Sequence, residues 1–523
     1  MFDEVKEWLG RAEERKVFLG EIGRRLSPEH AARITRLLEL LDWLLSVLEK
    51  KRLSIRKLLE LCFGSKTESA RNVCGKAPKT KQRQKRKGHG RNGHLIYTGA
   101  RRVKVPNPVH KDGETCPGCG KGRLRPMKKP AVAVSVTAQP PVGAVVHEME
   151  QLRCDTCDKV FTAPTPPEAG VEKYDASVGV MVGLLRYGSG MPFHRLERLQ
   201  KSLGVPLPAS IQWEQVLRIL QSLEPIHKQA VKQAAQSLVV HSDDTKARVT
   251  ALFKEIRSQE KPKRTGIFTT GIVGKVDGHT VCLFYTGRKH AGENLAELLE
   301  QRDENLSAPL HMCDGLSRNE PKGHETVECQ CNVHGRRNFV ELEKDHPEES
   351  RKVVESYSEV YRVEAEVRKR GLNDEERLRV HQEQSGPVME ELRRWFAELM
   401  DGKKVEPNSN LGGAIRYMQN RWTELTQFLR VPGAPIDNNE VERELKTSIL
   451  HRKNSLFYMT ERGAHAGDVF MSIIETCRRN GANPFDYLMA VVRNESRMEA
   501  DPGAWMPWNY LKTEAGLNTQ GVR

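Results

Sequence analysis

Apolar residues follow a heptad-like spacing near the start of the chain. They recur at alternating three- and four-residue steps, and only Lys51 interrupts the series: Ile34, Leu37, Leu41, Leu44, Leu48, Ile55, Leu58 and Cys62. Four heptads of this kind predict a coiled coil that joins copies of the chain into a homo-oligomer. The alternative is a long amphipathic helix packed on its own domain.

The pattern changes to that of strands at Ser237, and two of these strands lead into an acidic residue, Asp243 and Asp314. Two strands between them are joined at Asp277-Gly278, a dipeptide typical of hairpin turns. The predicted order is strand 237–243, strands 266–273 and 279–285, helix 293–300 and strand 308–314. It places carboxylates at the ends of neighbouring strands, where they can share metal ions.

Helical patterns fill most of the rest. Residues 193–220 contain two helical segments separated by a Gly- and Pro-rich turn, which fits a helix-turn-helix or, equally, an ordinary helical hairpin. Residues 341–430 are charged, broken at Gly386-Pro387 and Pro407-Asn408, and predict an insertion. The resulting division is a helical or coiled-coil region 1–65, a basic flexible arm 66–104, a cysteine-containing domain 105–167, a helical region 168–236, a core in two parts at 237–340 and 431–523, and the insertion 341–430.

Charge adds a binding partner to this picture. Of the 523 residues, 84 are Lys or Arg and 69 are Asp or Glu, a net charge of +15 that favours a polyanion, nucleic acid first. Residues 75–94 contain eight basic and no acidic residues: Lys76, Lys79, Lys81, Arg83, Lys85, Arg86, Lys87 and Arg91. Such a segment cannot bury a core and predicts a phosphate-binding arm, or alternatively a solvated linker.

Four of the eleven cysteines form two CxxC pairs, Cys116 with Cys119 and Cys154 with Cys157. Two such turns supply all four ligands of a closed, structural zinc site. The segment Ala131 to Val136 between them is predicted to be a strand, as in a zinc ribbon. A redox pair is the alternative. The absence of an apolar run of about 18 residues and the acidic start predict a cytoplasmic protein without a signal peptide or membrane span.

Near the C-terminus, Asp437 is predicted to cap a helix and Glu440 to complete a capping box. Glu442 lies about 200° further round that helix and is free for another role. The alternative is an ordinary capped helix with a solvated charged face. Asp243, Asp314 and Glu442 together form the set that two Mg²⁺ ions need for phosphodiester chemistry. Three crowded carboxylates would repel one another without cations, so the site is expected to depend on metal.

Several motifs resemble those of transposases of the Insertion Sequence Sixty-Six family (TnpC-type). They are LCFGSKTESARN (61–72), the double CxxC, HSDDT (241–245), CNVHGRRNF (331–339), IDNNEVERELK…HRKNSLF (436–457) and FDYLMAVV (485–492). The resemblance implies a multidomain α+β protein with an RNase H-like catalytic domain of the DDE class. It implies that Asp243, Asp314 and Glu442 are the catalytic acids and hold two Mg²⁺ or Mn²⁺ ions. The chain departs from the family at Asp244, at Gly315–Arg318 and at Asn332.

The implied partner is double-stranded DNA, both element ends and target, with accessory transposition proteins possible. Arg336, Arg337, Arg452 and Lys453 are expected to contact phosphates, which sets register rather than sequence preference. Cys329, Cys331 and His334 suggest a second zinc, but packing with phosphate contact is the preferred interpretation. The predicted function is a transposase that cuts 3′ ends and transfers strands in a bacterial cell. The alternatives are a non-catalytic DNA-binding protein and a metal nuclease that does not join.

The closed cysteine set predicts about one structural zinc per chain. Metal analysis of protein purified without chelators should find it, and replacing Cys116 and Cys119 with Ser should remove about one zinc per chain, because two of four thiolates are lost. A zinc content that this double substitution leaves unchanged would contradict the prediction.

Overall fold

The computed structural model describes residues 102–127, 131–134, 139–155, 158–170, 172–260 and 262–520, together with His30, Leu95 and Val136. The predicted coiled coil, the basic arm from Lys76 to Arg91 and Cys157 lie outside these residues. The chain forms two compact units. Arg336–Arg362 belongs to the smaller, and the described parts of Lys79–Gly335 and Val363–Arg523 belong to the larger.

The helices and strands of the described residues are labelled in chain order. The strands are β1 (Gln151–Arg153), β2 (Val160–Thr162), β3 (Val239–Lys246), β4 (Phe268–Val276), β5 (His279–Gly287), β6 (Leu310–Cys313) and β7 (Val327–Gln330). The helices are α1 (Ala176–Gly183), α2 (Phe193–Ser202), α3 (Ala209–Ala235), α4 (Thr250–Ser258), α5 (Ala291–Leu299), α6 (Asn332–Glu341), α7 (Pro347–Arg370), α8 (Asp374–Asp401), α9 (Asn410–Asn420), α10 (Trp422–Leu425), α11 (Asn439–Ser455), α12 (Glu461–Arg479), α13 (Pro484–Arg493), α14 (Glu495–Ala500) and α15 (Tyr510–Gln520).

A five-stranded mixed sheet with the order β5-β4-β3-β6-β7 forms the centre of the larger unit. β3, β4 and β5 are antiparallel neighbours, whereas β6 runs parallel to β3 and β7 runs parallel to β6. The hairpin turn lies at Asp277-Gly278, both with positive φ (49° and 77°), as sequence predicts. Since His241 pairs with Met312, the same register carried two residues on aligns Asp243 with Asp314.

The edge strand β5 is covered by α12 through a repeated hydrogen-bond pattern. Backbone amides of alternate β5 residues donate to side chains four residues apart on α12: Thr280 to Asn480 (3.1 Å), Cys282 to Thr476 (3.0 Å), Phe284 to Ser472 (2.9 Å) and Thr286 to Asp468 (2.7 Å). The strand period of two and the helix period near four keep the partners in step. These bonds satisfy an edge that would otherwise offer free amides to another chain.

Two predicted features differ from the structure. The described residues between 131 and 136 form no strand, and the strands near the cysteines are instead the short antiparallel pair β1 and β2 around the second CxxC. Gly386-Pro387 does not break the insertion, because α8 continues through Pro387. No helix in the described part of the chain has the length and apolar character needed to cross a membrane.

The predicted capping box of α11 is wrong. Asn438 is the N-cap residue and makes no side-chain cap, while Asp437 accepts one hydrogen bond from the Asn439 amide (3.1 Å). Glu440 instead forms ion pairs with Arg479 and Lys275. Burial would raise the pKa of Glu440, but these cations hold it below its usual value. Glu440 therefore attaches α11 to the sheet and to α12.

Asp244 accepts a backbone hydrogen bond at the start of another helix, α5, where Glu293 forms the capping box. The Asp244 side chain is only 2% exposed and accepts hydrogen bonds from Thr270 Oγ1 (2.6 Å), His290 Nδ1 (3.1 Å) and the Ala291 amide (3.1 Å). Ala291 is the first residue of α5. The carboxylate of Asp244 thus connects β3, β4 and the start of α5.

Replacing Asp244 with Ala should lower the free energy of unfolding by about 2–3 kcal/mol, because the buried Thr270 hydroxyl and Ala291 amide and the half-buried His290 ring lose a charged acceptor. Glu440→Ala is the matched control, since partly exposed ion pairs contribute roughly 1 kcal/mol or less. Urea unfolding of both variants measures the difference, and equal losses would contradict these roles.

Candidate active site

Asp243 lies on the central strand β3. Because side chains alternate along a strand, Asp243 and Asp244 face opposite sides of the sheet. Burial raises the pKa of Asp243 to about 7, although the Asp244 amide donates to its Oδ1 at 2.7 Å and acts in the opposite direction. The neighbouring charges of Asp314 and Glu442 raise this pKa further. Asp243 therefore lies close enough to both other predicted acids for their negative charges to raise its pKa.

Asp314 follows the last residue of β6 and is held by its own loop. Its Oδ1 accepts hydrogen bonds from Asn319 Nδ2 (2.5 Å) and from the Leu316 amide (3.2 Å). Gly315 has a φ of +74°, and a Cβ at that position would lie 2.6 Å from the Gln330 side chain. Only glycine allows the chain to turn here, so Gly315 fixes the direction of Asp314.

Glu442 lies in the first turn of α11, where Val441 and Leu445 pack on β4. A Cβ at Gly271, the β4 residue paired with Asp243, would lie 3.0 Å from both of those side chains. The glycine thus lets α11 approach the sheet at the level of Asp243. Glu442 Oε1 is buried and has no hydrogen-bond partner among the described residues.

Asn438 joins the start of α11 to β3, which carries Asp243, and to the residue that follows β7. Its Nδ2 donates to the Ser242 carbonyl (3.0 Å), its Oδ1 faces His241 Nδ1 (3.2 Å), and its amide donates to Cys331 Sγ (3.3 Å). The side chain is fully buried. Asn438 therefore fixes the start of α11 to β3, next to Asp243, and to the end of β7.

Asn332 holds the residues just before Asn438 through backbone hydrogen bonds. Its Nδ2 donates to the carbonyls of Leu425 (2.8 Å) and Ile436 (3.0 Å). A larger apolar residue at position 332 could not make these two bonds. The asparagine that departs from the expected motif thus has a structural role in this chain.

The chain belongs to the IS66 family of transposases. The family described as "Transposase IS66 family" matches residues 173–466, more than half of the chain. This is the Insertion Sequence Sixty-Six family that the motifs indicate.

Similar proteins occur in Sinorhizobium fredii. The uncharacterized protein y4hP is 23% identical over 450 residues, which cover 80% of this chain and 79% of that protein. The uncharacterized protein y4jD is 29% identical over 270 residues, 51% of this chain and 46% of that protein. A third, y4qI, is 31% identical over 198 residues, 37% of this chain and 36% of that protein.

The insertion of this IS66 family member contributes residues that the sequence did not single out. Tyr417 on α9 donates its hydroxyl to the Asp314 carbonyl (3.4 Å), and Arg421 Nη2 lies 3.5 Å from the Gly315 carbonyl. The Arg421 guanidinium stacks over the Tyr417 ring at 4.4 Å from its centre. A cation thus lies beside the loop of the second acid. Its position 107 residues after Asp314 explains why the sequence alone did not reveal it.

Arg452 and Lys453 lie near the end of α11 and line a cavity of about 610 Å³ with Lys246 and Arg248. Arg452 donates to Thr245 Oγ1 (3.1 Å) and to the Lys246 carbonyl, both at the end of β3. Apolar side chains, including Phe253 and Phe268, form the rest of the wall. The cavity combines positively charged and apolar side chains.

The other predicted contacts are placed less completely. Arg336 and Arg337 lie on the part of α6 that belongs to the smaller unit. Cys116 and Cys119 lie in a tight turn in which the Gly120 amide donates a hydrogen bond to the Cys116 carbonyl (2.8 Å). Cys154 begins a similar turn, in which the Asp158 amide donates to the Cys154 carbonyl (3.1 Å). The backbone amides of Gly122 and Lys121 lower the pKa of Cys119, a feature that suits a thiolate ligand.

The raised pKa of Asp243 predicts a pH-dependent stability. The folded chain holds this proton up to about pH 7, whereas the unfolded chain releases it near the usual 3.8. The group is neutral in both states below about pH 4, so the free energy of unfolding should fall as pH rises from about 4 to 7 and stay lowered above that. Asp243→Asn removes this penalty and should be more stable than the parent chain by roughly 1–3 kcal/mol at about pH 8.

Thermal unfolding in the presence of a chelator, at about pH 4 and pH 8, measures this effect. The control is Asp277→Asn, an exposed turn position where Asn also tolerates positive φ. The assignment is incorrect if both variants change with pH in the same way.

Proposed function

We propose that this IS66-family chain is a DDE transposase that uses Asp243, Asp314 and Glu442 to cut the 3′ ends of its element and join them to target DNA. The observation that carries the proposal is that Asp314, which follows β6, and Glu442 on α11 lie near enough to Asp243 on β3 for their charges to raise its pKa. The strand order and directions of the sheet support an RNase H-like catalytic domain.

The donor set fits divalent cations of the Mg²⁺ type. Mg²⁺ prefers carboxylate oxygens and keeps several waters, so a few protein ligands suffice. Glu442 Oε1 is buried without a protein partner among the described residues, and Asp243 is partly protonated at neutral pH. Both features are expected of ligands that bind cations. Two such ions would activate the attacking oxygen and stabilise the leaving oxygen.

The residues around the acids have separate tasks in this proposal. Asn438 orients the start of α11, and Asn319 and Gly315 orient Asp314. Arg421, Arg452 and Lys453 would bind phosphates on either side of the carboxylates. Such contacts place the scissile bond without reading sequence.

The remaining predictions complete the proposed transposase. The ribbon cysteines would hold one zinc and shape a surface for the element ends, and the basic arm would bind DNA phosphates. The predicted coil would join two or more chains, so that both ends are held together. Accessory proteins remain possible partners.

Cleavage and joining of DNA that carries the ends of its own element test the function. Asp243→Asn, Asp314→Asn and Glu442→Gln should each reduce cleavage to background while DNA binding persists, because shape is kept and ligand charge is lost. Glu440→Gln, two residues from Glu442 on the same helix, should retain activity, since Glu440 binds Arg479 and Lys275 instead.

Three results would contradict the proposal. If cleavage survives Glu442→Gln but is lost in Glu440→Gln, then Glu440 is the catalytic glutamate and the assignment of Glu442 is wrong. Cleavage without joining would indicate a nuclease. DNA binding without metal-dependent cleavage by the parent chain would indicate a binding protein.

A further inference from the structure

Three potential metal ligands of different chemistry meet beside the proposed catalytic acids. One ligand atom each from Cys331, His334 and Glu442 lie within 4.8 Å of one another. They come from three places in the fold, the end of β7, the first turn of α6 and the first turn of α11. Within the described residues, this is the group of Cys, His and acidic residues that could hold a metal.

The local backbone holds Cys331 and His334 in one turn. The His334 amide donates to the Cys331 carbonyl (3.2 Å), and the Cys331 amide donates to the Cys313 carbonyl (2.9 Å) on β6. The C-x-x-H spacing therefore presents a sulfur and an imidazole from a rigid start of α6. The hydrogen bond from the Asn438 amide to Cys331 Sγ (3.3 Å) fixes Glu442's helix to the same sulfur.

Two atoms of the group lack a protein partner. Glu442 Oε1 and His334 Nδ1 are both buried and make no hydrogen bond to the described residues. A buried polar atom without a partner costs roughly 1–3 kcal/mol, so native proteins rarely leave two of them side by side. The sequence suggested a second zinc at Cys329, Cys331 and His334, but the structure leaves Cys329 outside the group and adds Glu442, which lies 108 residues after His334.

We propose that Cys331, His334 and Glu442 form a binding site for a transition-metal cation of the Zn²⁺ type. A thiolate and an imidazole favour such ions over Mg²⁺, which prefers oxygen ligands. Three protein ligands leave one position of a tetrahedral ion open. The ring nitrogen of His334 and the carboxylate of Glu442 would then gain the partner that the protein does not provide.

The site has a consequence for the proposed transposase, and this step rests on that function. Glu442 is both a ligand of this group and the third proposed catalytic acid. A transition-metal ion bound by Cys331 and His334 would withdraw Glu442 from the Mg²⁺ pair or replace one of its ions. Zn²⁺ would therefore change Mg²⁺-dependent cleavage through Cys331, a soft ligand that Mg²⁺ does not use.

Cobalt(II) bound to the full-length chain provides a readout that does not require activity, because cobalt–thiolate bonds give a charge-transfer absorption. About one equivalent of Zn²⁺ per chain is added first, because four thiolates bind it in preference to a site with three protein ligands, and Co²⁺ is then titrated. We expect about one further Co²⁺ per chain, with an absorption that Cys331→Ser abolishes and His334→Ala weakens at least tenfold in affinity. Cys329→Ala is the matched control, because Cys329 is an equally buried cysteine outside the group.

The result that supports the site is an absorption lost in Cys331→Ser and kept in Cys329→Ala. An absorption that is absent from the parent chain, or equally reduced by both substitutions, overturns it. Circular dichroism and the Tm show whether each variant is folded, and Glu442→Gln gives a second test, since it should weaken Co²⁺ binding while keeping the thiolate absorption.

Failure of the site is distinguishable from failure of the proposed function. A cobalt absorption in a chain that never cleaves DNA would leave the site standing without the transposase activity. Cleavage with no Cys331-dependent absorption would refute the site alone.

Discussion

The proposed active site depends on holding like charges together, and one buried asparagine, Asn438, fixes the helix of Glu442 to the strand of Asp243. Asp243, Asp314 and Glu442 come from separate elements and would drift apart by repulsion in a looser fold. Asn438 bonds to the β3 backbone beside Asp243 and to Cys331, while it forms the N-cap position of the helix with Glu442. Because an amide both donates and accepts, a carboxylate or an apolar residue could not replace it.

The rest of the core supports this junction by fixing α11 and the sheet from outside. The hydrogen bonds between β5 and α12 attach this helix to the edge of the sheet. Arg479 on α12 in turn pairs with Glu440, which attaches α11 to α12. The close packing at Gly271 then sets the distance between α11 and β4. These contacts hold α11, and with it Glu442, at a fixed position on the sheet beside Asp243.

Much of the fold could be predicted from the chain, because strand patterns depend on neighbours in sequence. The hairpin at Asp277-Gly278 and the position of Asp314 after β6 follow from local rules, whereas β3 continues past Asp243 to Lys246. The roles of single residues depend on distant partners and were harder to predict. Glu440 has the spacing of a capping box, yet it pairs with Arg479 and Lys275, whereas Asp244 on β3 accepts the first amide of α5. The apolar segment near Val134 has strand propensity, but the described residues form no strand there, since propensity alone supplies no pairing partner.

The insertion between the second and third acids illustrates why distance in sequence hides function. Tyr417 and Arg421 reach the loop of Asp314, and Asn332 ties the segment before Asp437 to the end of α10. The insertion therefore contacts the same loops that place the carboxylates. Any movement of α9 or α10 would shift those loops, because Tyr417 and Asn332 bond to backbone rather than to adjustable side chains. Tyr417 and Asn332 are therefore the residues through which the insertion and the loops beside the proposed acids hold each other in place.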